Sequence, residues 1–343
     1  MPSPERHKQP RTETKDPGLE ATASSAEDPL NRIETEALEA LTERLKLKEQ
    51  YYAQLKVLDR SGLLELFPPT GEHPKPELGV VGIDGQNYFL PAYEDVLKRL
   101  QDPEKRKLIE QKAEQGFTKL LIVPFALPLA ILIERYKQTL LRVNQESGLK
   151  ATDGSALELN LEDPLYVWDK LIQADNPQTP QDQQIEYGVT NYDGPTKEAR
   201  GGRHKSELLQ EDPGNGWHFL LTEDIADLPA EGQGKTISGR QQLEANKSPK
   251  EYLNLLQTKE QHQGESGLTP EAALTDWQAY LQEKQTVRDD WQGRGKVNWL
   301  VGNYLSGDAP VFSWLRGNRR PYLLRINPGY RGEDCGCRPA ARF

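Results

Sequence analysis

The final 35 residues, Ala309–Phe343, are written in a reduced alphabet, and any fold that ends here must build its last elements from it. Ten amino acids can be encoded without adenine: Ala, Arg, Cys, Gly, Leu, Phe, Pro, Ser, Trp and Val. The others need adenine in every codon. Only seven residues of the window belong to that second group: Asn318, Tyr322, Ile326, Asn327, Tyr330, Glu333 and Asp334. Residues 250–308 contain 31 of them. The window holds seven Arg and no Lys, although Lys is common upstream. Folding physics gives no reason to keep Arg while excluding Lys, Thr and Gln. A constraint on coding does.

At 343 residues the chain can hold one large domain or two smaller ones. A mean hydropathy of -0.78 and 35% hydrophobic residues assign a sizeable share to tail and loop. The net charge of -10 argues against a general nucleic-acid binder. That charge is uneven. Residues 311–343 carry seven Arg against Glu333 and Asp334, a balance of +5 that leaves -15 for the rest.

The two cysteines, Cys335 and Cys337, form one Cys-x-Cys and imply no disulfide framework. Residues 1–30 have five Pro, mixed charge and no hydrophobic run, so they read as a disordered tail and not a signal peptide. Leu120–Ile133 is the most apolar stretch, but it is 14 residues long and contains Pro124 and Pro128. It is shorter than the roughly 20 residues a spanning helix needs, so it reads as buried core. The default expectation is a soluble, cytoplasmic protein without a membrane span.

Leu38, Leu41, Leu45, Tyr52 and Leu55 recur at helical spacing and predict a helix over Asn31–Leu64. Two heptads are too few for a coiled coil. Tyr93–Gln115 and Gly116–Asn144 are further helical candidates, the second interrupted by its prolines. A helical region over 31–172 and a polar linker over 173–184 follow from this reading. Beyond the linker, Ile185–Thr190 and Trp217–Thr222 read as short strands. Ser248-Pro249-Lys250-Glu251 is a capping box and Thr269-Pro270 a second helix start. Lys296–Leu305 reads as a strand pair turning near Gly302-Asn303.

Chemical motifs are sparse. Gly232-Gln233-Gly234-Lys235-Thr236 has the end of a phosphate-binding loop, but Pro229 stands where the motif needs its first Gly. The five histidines are scattered, and Cys335 and Cys337 lack a second ligand pair at zinc spacing. No nucleophile elbow or zincin helix is present. No catalytic residue, metal or cofactor is assigned. The arginine cluster leaves three readings open: phosphate binding, pairing with acids elsewhere in the chain, or codon restriction. A nucleic-acid surface would recruit Lys as well as Arg.

The residues Trp314, Arg316, Arg319-Arg320, Leu323 and Pro328, with the closing Gly336-Cys337-Arg338-Pro339-Ala340-Ala341-Arg342, carry a resemblance. The chain resembles the variable proteins of diversity-generating retroelements, whose C-terminal domain has a C-type-lectin-like fold of the formylglycine-generating-enzyme type. The resemblance implies an α+β chain: a helical N-terminal region, then a C-type-lectin-like domain over 185–343, with short antiparallel strands, two helices and a variable region near 309–343. It also implies that a reverse transcriptase miscopies template adenines, so that residues needing adenine sit at mutable positions. Those are the seven named above. Phe312, Ser313, Leu315 and Leu324 would be mutable positions that now show adenine-free outcomes. Together the eleven would form the ligand-binding surface, with Trp314, Arg316, Gly317, Arg319, Arg320 and Arg338 as its scaffold.

The motifs of calcium-dependent lectins are absent, so calcium and sugar binding do not carry over. The expected function is non-enzymatic binding of a protein or other macromolecular ligand, with no specific nucleic acid as partner. An oligomer through the N-terminal helices is a further expectation. The alternatives are a formylglycine-generating or other thiol enzyme using Cys337, and a basic C-terminal nucleic-acid module.

Overall fold

A computed structural model describes residues 29–71 and 74–343. All but the last two residues of the tail expected over 1–30 lie outside this range. The class is mixed α+β.

Two helices, α1 (Pro29–Arg44) and α2 (Leu47–Arg60), stand where one was expected over 31–64. Lys46 takes left-handed backbone (φ 47°) and separates them. The break resets the helical phase, so Tyr51, Gln54 and Leu58 are buried while Tyr52 is exposed. A small antiparallel sheet follows: β1 (Glu65–Phe67), β2 (Glu77–Val81) and β3 (Asn87–Phe89). The helix expected over Tyr93–Gln115 is divided into α3 (Tyr93–Arg99) and α4 (Pro103–Glu114). Asp102 caps α4 by accepting the Glu104 N–H at 2.9 Å, with Pro103 in the first turn.

The helical expectation over 116–144 is corrected by strand β4 (Phe117–Val123). Leu120–Val123 is a continuous apolar run, which has no period to distinguish a buried strand from a buried helix. All four residues are buried. Helix α5 (Leu129–Ser147) begins only after Pro128. Then come β5 (Leu149–Lys150), β6 (Ala156–Leu157), β7 (Tyr166–Val167) and α6 (Asp169–Ala174). The polar segment 173–184 is pinned to the body: Asp175 pairs with buried Lys205 at 2.5 Å and accepts the Leu129 N–H.

The chain continues through β8 (Glu186–Tyr187), α7 (Lys197–Arg200), α8 (Lys205–Glu211), β9 (His218–Glu223), β10 (Thr236–Ile237) and β11 (Arg240–Gln241). Helix α9 (Pro249–Thr258) carries the expected capping box, with the Glu251 carboxylate accepting the Ser248 N–H at 2.7 Å. After β12 (Glu265–Gly267), α10 (Pro270–Lys284) starts at Thr269, whose Oγ1 accepts the Ala272 N–H. The remaining strands are β13 (Asp290–Trp291), β14 (Val297–Trp299), β15 (Asn303–Tyr304), β16 (Ala309–Leu315), β17 (Arg320–Ile326), β18 (Cys335–Cys337) and β19 (Pro339–Arg342). The pair expected over 296–305 does not form. Strand β14 joins β16 and β18, and after Gly302 (φ 85°) β15 leaves to join β8.

Two sheets organise the molecule. The first has the antiparallel order β12-β19-β9-β4, so a strand of the N-terminal half shares a sheet with the last strand. Helix α2 seals its β4 edge. Gln50 donates to the Thr118 carbonyl at 2.7 Å and accepts the Leu120 N–H at 2.9 Å. The second has the order β18-β14-β16-β17-β7, with β13 beside β16. Helices α5 and α10 pack on each other, and α10 touches both sheets. Its Trp277 ring lies 4.3 Å from that of Phe312 on β16, and Tyr136 of α5 lies 6.0 Å from the same ring. Among the described residues no helix is long and apolar enough to cross a membrane.

Candidate functional site

Strands alternate their side chains, and the β16–β17 hairpin divides its residues by that rule. Phe312 pairs with Leu323 and Trp314 with Pro321 across the hairpin. Phe312, Trp314 and Leu323 are fully buried toward the helices. Phe312 therefore belongs to the core, which corrects its expected place on the ligand-binding surface. Its odd-even phase matches that of Trp314, the expected scaffold residue. The opposite face carries Val311 against Leu324, Ser313 against Tyr322 and Ala309 against Ile326.

On that opposite face lies a groove of about 460 Å³. Ser313, Leu315, Leu324, Ile326, Tyr330, Glu333 and Asp334, all expected at the site, line it. Trp291, Val297, Val311, Gly332 and Cys335 complete it, and sequence reasoning missed them. Val311 was detectable, because it continues the alternation of Ser313 and Leu315. Trp291, Val297 and Cys335 arrive through the pairing of β13, β14 and β18, which no local pattern announces.

Three expected residues stand apart. Asn318 sits exposed in the hairpin turn and donates to the Tyr322 hydroxyl at 2.5 Å. Tyr322 is nine-tenths buried, its ring 5.0 Å from that of Tyr166. Asn327 is exposed and closes a turn by accepting the Gly329 N–H at 2.8 Å.

The groove has an apolar floor and an acidic rim. Lys296 donates to Asp334 at 2.7 Å and holds its carboxyl below the usual range; Trp291 Nε1 also donates to it, at 3.4 Å. Glu333 is exposed beside it. Burial, with Asp334 nearby, pushes the Cys335 thiol up to about 11. Burial pushes that of Cys337 higher still. Both cysteines are free and buried.

Six of the seven tail arginines pair with acids elsewhere in the chain. Arg316 grips Asp290 through Nε at 2.7 Å and through its terminal nitrogen at 2.5 Å. Arg320 pairs with Asp163, and Arg325 pairs with Asp308 while its guanidinium lies 4.0 Å over Trp168. Arg331 reaches Glu251 at 3.7 Å. Arg338, fully buried, pairs with Asp289 at 2.8 Å and donates to the carbonyls of Ile225 and Ala226. Arg319 pairs with Glu158 at 3.4 Å, but both side chains are exposed, so it anchors nothing internally.

The Gly232–Thr236 segment is equally occupied. The Glu244 carboxylate accepts the N–H groups of Gly232 and Gly234, the donors a phosphate would need. Among the described residues no cluster of His, Cys, Asp or Glu could hold a metal ion. No protein-family model matches the chain, and it shows no significant similarity to curated proteins or to solved structures.

Proposed function

We propose that the outer face of the β16–β17 hairpin and the loop 327–334 form a changeable binding surface for a protein or other macromolecular ligand. In this reading the chain is the variable protein of a diversity-generating retroelement, its C-terminal domain is C-type-lectin-like, and binding requires no catalysis. The supporting observation is a coincidence between coding and burial. Of the seven residues that need adenine, Asn318, Asn327, Tyr330, Glu333 and Asp334 are exposed and Ile326 is half-buried; Tyr322 is the exception. Other buried residues of the same window, among them Phe312, Trp314, Leu323, Cys337, Arg338, Ala340 and Ala341, are adenine-free. Tyr and Asn on such a face supply amphipathic area and adjustable hydrogen bonds.

The alternatives draw less support. A thiol enzyme needs a thiolate, and burial raises both cysteines. A nucleic-acid surface needs free cations, and six of the seven tail arginines face a carboxylate.

The test is the gene's own locus. A reverse transcriptase gene and a near-copy of the last roughly 100 bases should lie nearby, differing from the gene only at adenines of the copy. Differences that fall as often at other bases would refute the proposal.

A further inference from the structure

A second cavity, of about 360 Å³, lies away from the hairpin between β9, β12, α9 and the segments 187–190 and 301–303. That volume falls in the range of small-molecule sites. Leu220, Leu253, Leu256 and Val301 give it apolar walls.

Its polar groups are unevenly satisfied. The Glu265 carboxylate is fully engaged by Arg240, Lys112 and His262. The Tyr187 hydroxyl donates to Glu271 at 2.8 Å, and Arg203 pairs with Glu211 at 2.5 Å. Among the described residues, two buried atoms of this lining have no protein partner: Nε2 of His218 and Oδ1 of Asn303. Buried polar atoms of this kind are rare and call for a partner. The His218 ring is held by stacking on Phe125, with ring centres 4.1 Å apart, and not by hydrogen bonds. Burial, and then the charges of Arg342, Lys205 and Arg99, push its pKa well below the usual value, so the ring is neutral and keeps one N–H.

The last lining group is Arg342. Among the described residues it is the tail arginine that makes no ion pair; it donates instead to the Asn215 side-chain carbonyl at 2.7 Å. Its register places it beside Leu220, on the same strand face as His218. It also lines an adjoining open cavity with Arg99 and Lys105, where Asp212 is the acid present. The local balance there is positive.

We propose that the 360 Å³ cavity binds a small carboxylic acid with an apolar body, its carboxylate on the Arg342 guanidinium and the His218 N–H, its body against Leu220, Leu253, Leu256 and Val301. A guanidinium without a carboxylate partner is a ready oxyanion site, and the neutral imidazole adds one donor to it.

The test is calorimetric titration of the full chain with 3-(4-hydroxyphenyl)propionate and with octanoate, each against its uncharged primary amide. At least one acid should bind roughly tenfold or more tightly than its amide, as a charge-assisted hydrogen bond requires. Arg342→Gln should remove that preference. His218→Phe, which keeps the stacking on Phe125, should weaken the acid and leave the amide unchanged. Absence of binding by both acids, equal binding of acid and amide, or a preference that survives in Arg342→Gln would overturn the proposal. Should His218→Phe fail to fold, the wild-type comparison and the exposed Arg342 variant decide the matter without it.

Discussion

Arg338 donates to Asp289 at 2.8 Å, and neither side chain reaches solvent. The pair joins the turn between β18 and β19 to the loop after α10. The same guanidinium also satisfies two carbonyls of the loop that follows β9. One side chain thus ties together three connections. Removing it strands a buried carboxylate. Arg338→Met is expected to cost about 3–5 kcal/mol of stability, against at most about 1 kcal/mol for Arg319→Met, whose pair with Glu158 is exposed. Urea denaturation of the two variants checks this; equal losses would remove Arg338 from its anchoring role.

The two faces of the hairpin should respond differently to substitution. Phe312→Ala, beneath Trp277 and Tyr136, is expected to cost about 3–5 kcal/mol. Tyr330→Ala and Leu324→Thr, on the groove side, are expected to cost less than about 1 kcal/mol. A thermal melt series gives the order, and a tolerant Phe312 would contradict the division of faces.

Acid should loosen the junction of α4, β11 and β12. Burial alone would raise the Glu265 pKa, but hydrogen bonds from His262, Arg240 and Lys112 bring it down to about 2 from an ordinary 4.5. A carboxylate depressed on folding contributes stability above its ordinary value and loses it as pH falls toward the folded one. The contribution, on the order of 3 kcal/mol, should therefore fade between about pH 4.5 and pH 2. Glu265→Gln should lower stability at pH 7 and flatten that slope; an unchanged slope would assign it to other carboxylates.

Both thiols should be inert in the native protein. With a pKa near 11, Cys335 is ionised in about one molecule in a thousand at pH 8, and Cys337 in fewer. Iodoacetamide should label the native chain at least about 100-fold more slowly than the urea-unfolded one. Rapid native labelling that saturates near pH 6 would revive the thiol-enzyme alternative.

Some of this architecture is legible in the sequence, for identifiable reasons. Ser248 and Thr269 announced α9 and α10 because capping is local chemistry, complete within four residues. The hairpin strands gave a weaker signal: Val311 and Leu315 are as apolar as Phe312 and Trp314, so alternation alone does not say which face meets the helices. Phe312 was misassigned because a codon argument weighs each position separately, whereas a strand assigns positions in pairs. Strand β4 was hidden by its own uniformity. Trp291 and Cys335 reach the groove by pairings across more than 20 residues of chain, β13 with β16 and β14 with β18, and such closures leave no trace in local spacing.

The two-residue period of β16 and β17 also bears on what kind of change the hairpin can absorb. Replacing Leu315 or Leu324 alters one outward side chain and leaves its neighbours where they were. Inserting a single residue between them and the turn would rotate the whole strand. Phe312 and Trp314 would then face water, and Ser313 would face Trp277. This stretch of protein can be respelled letter by letter but not lengthened, so any process that rewrites it must preserve the letter count.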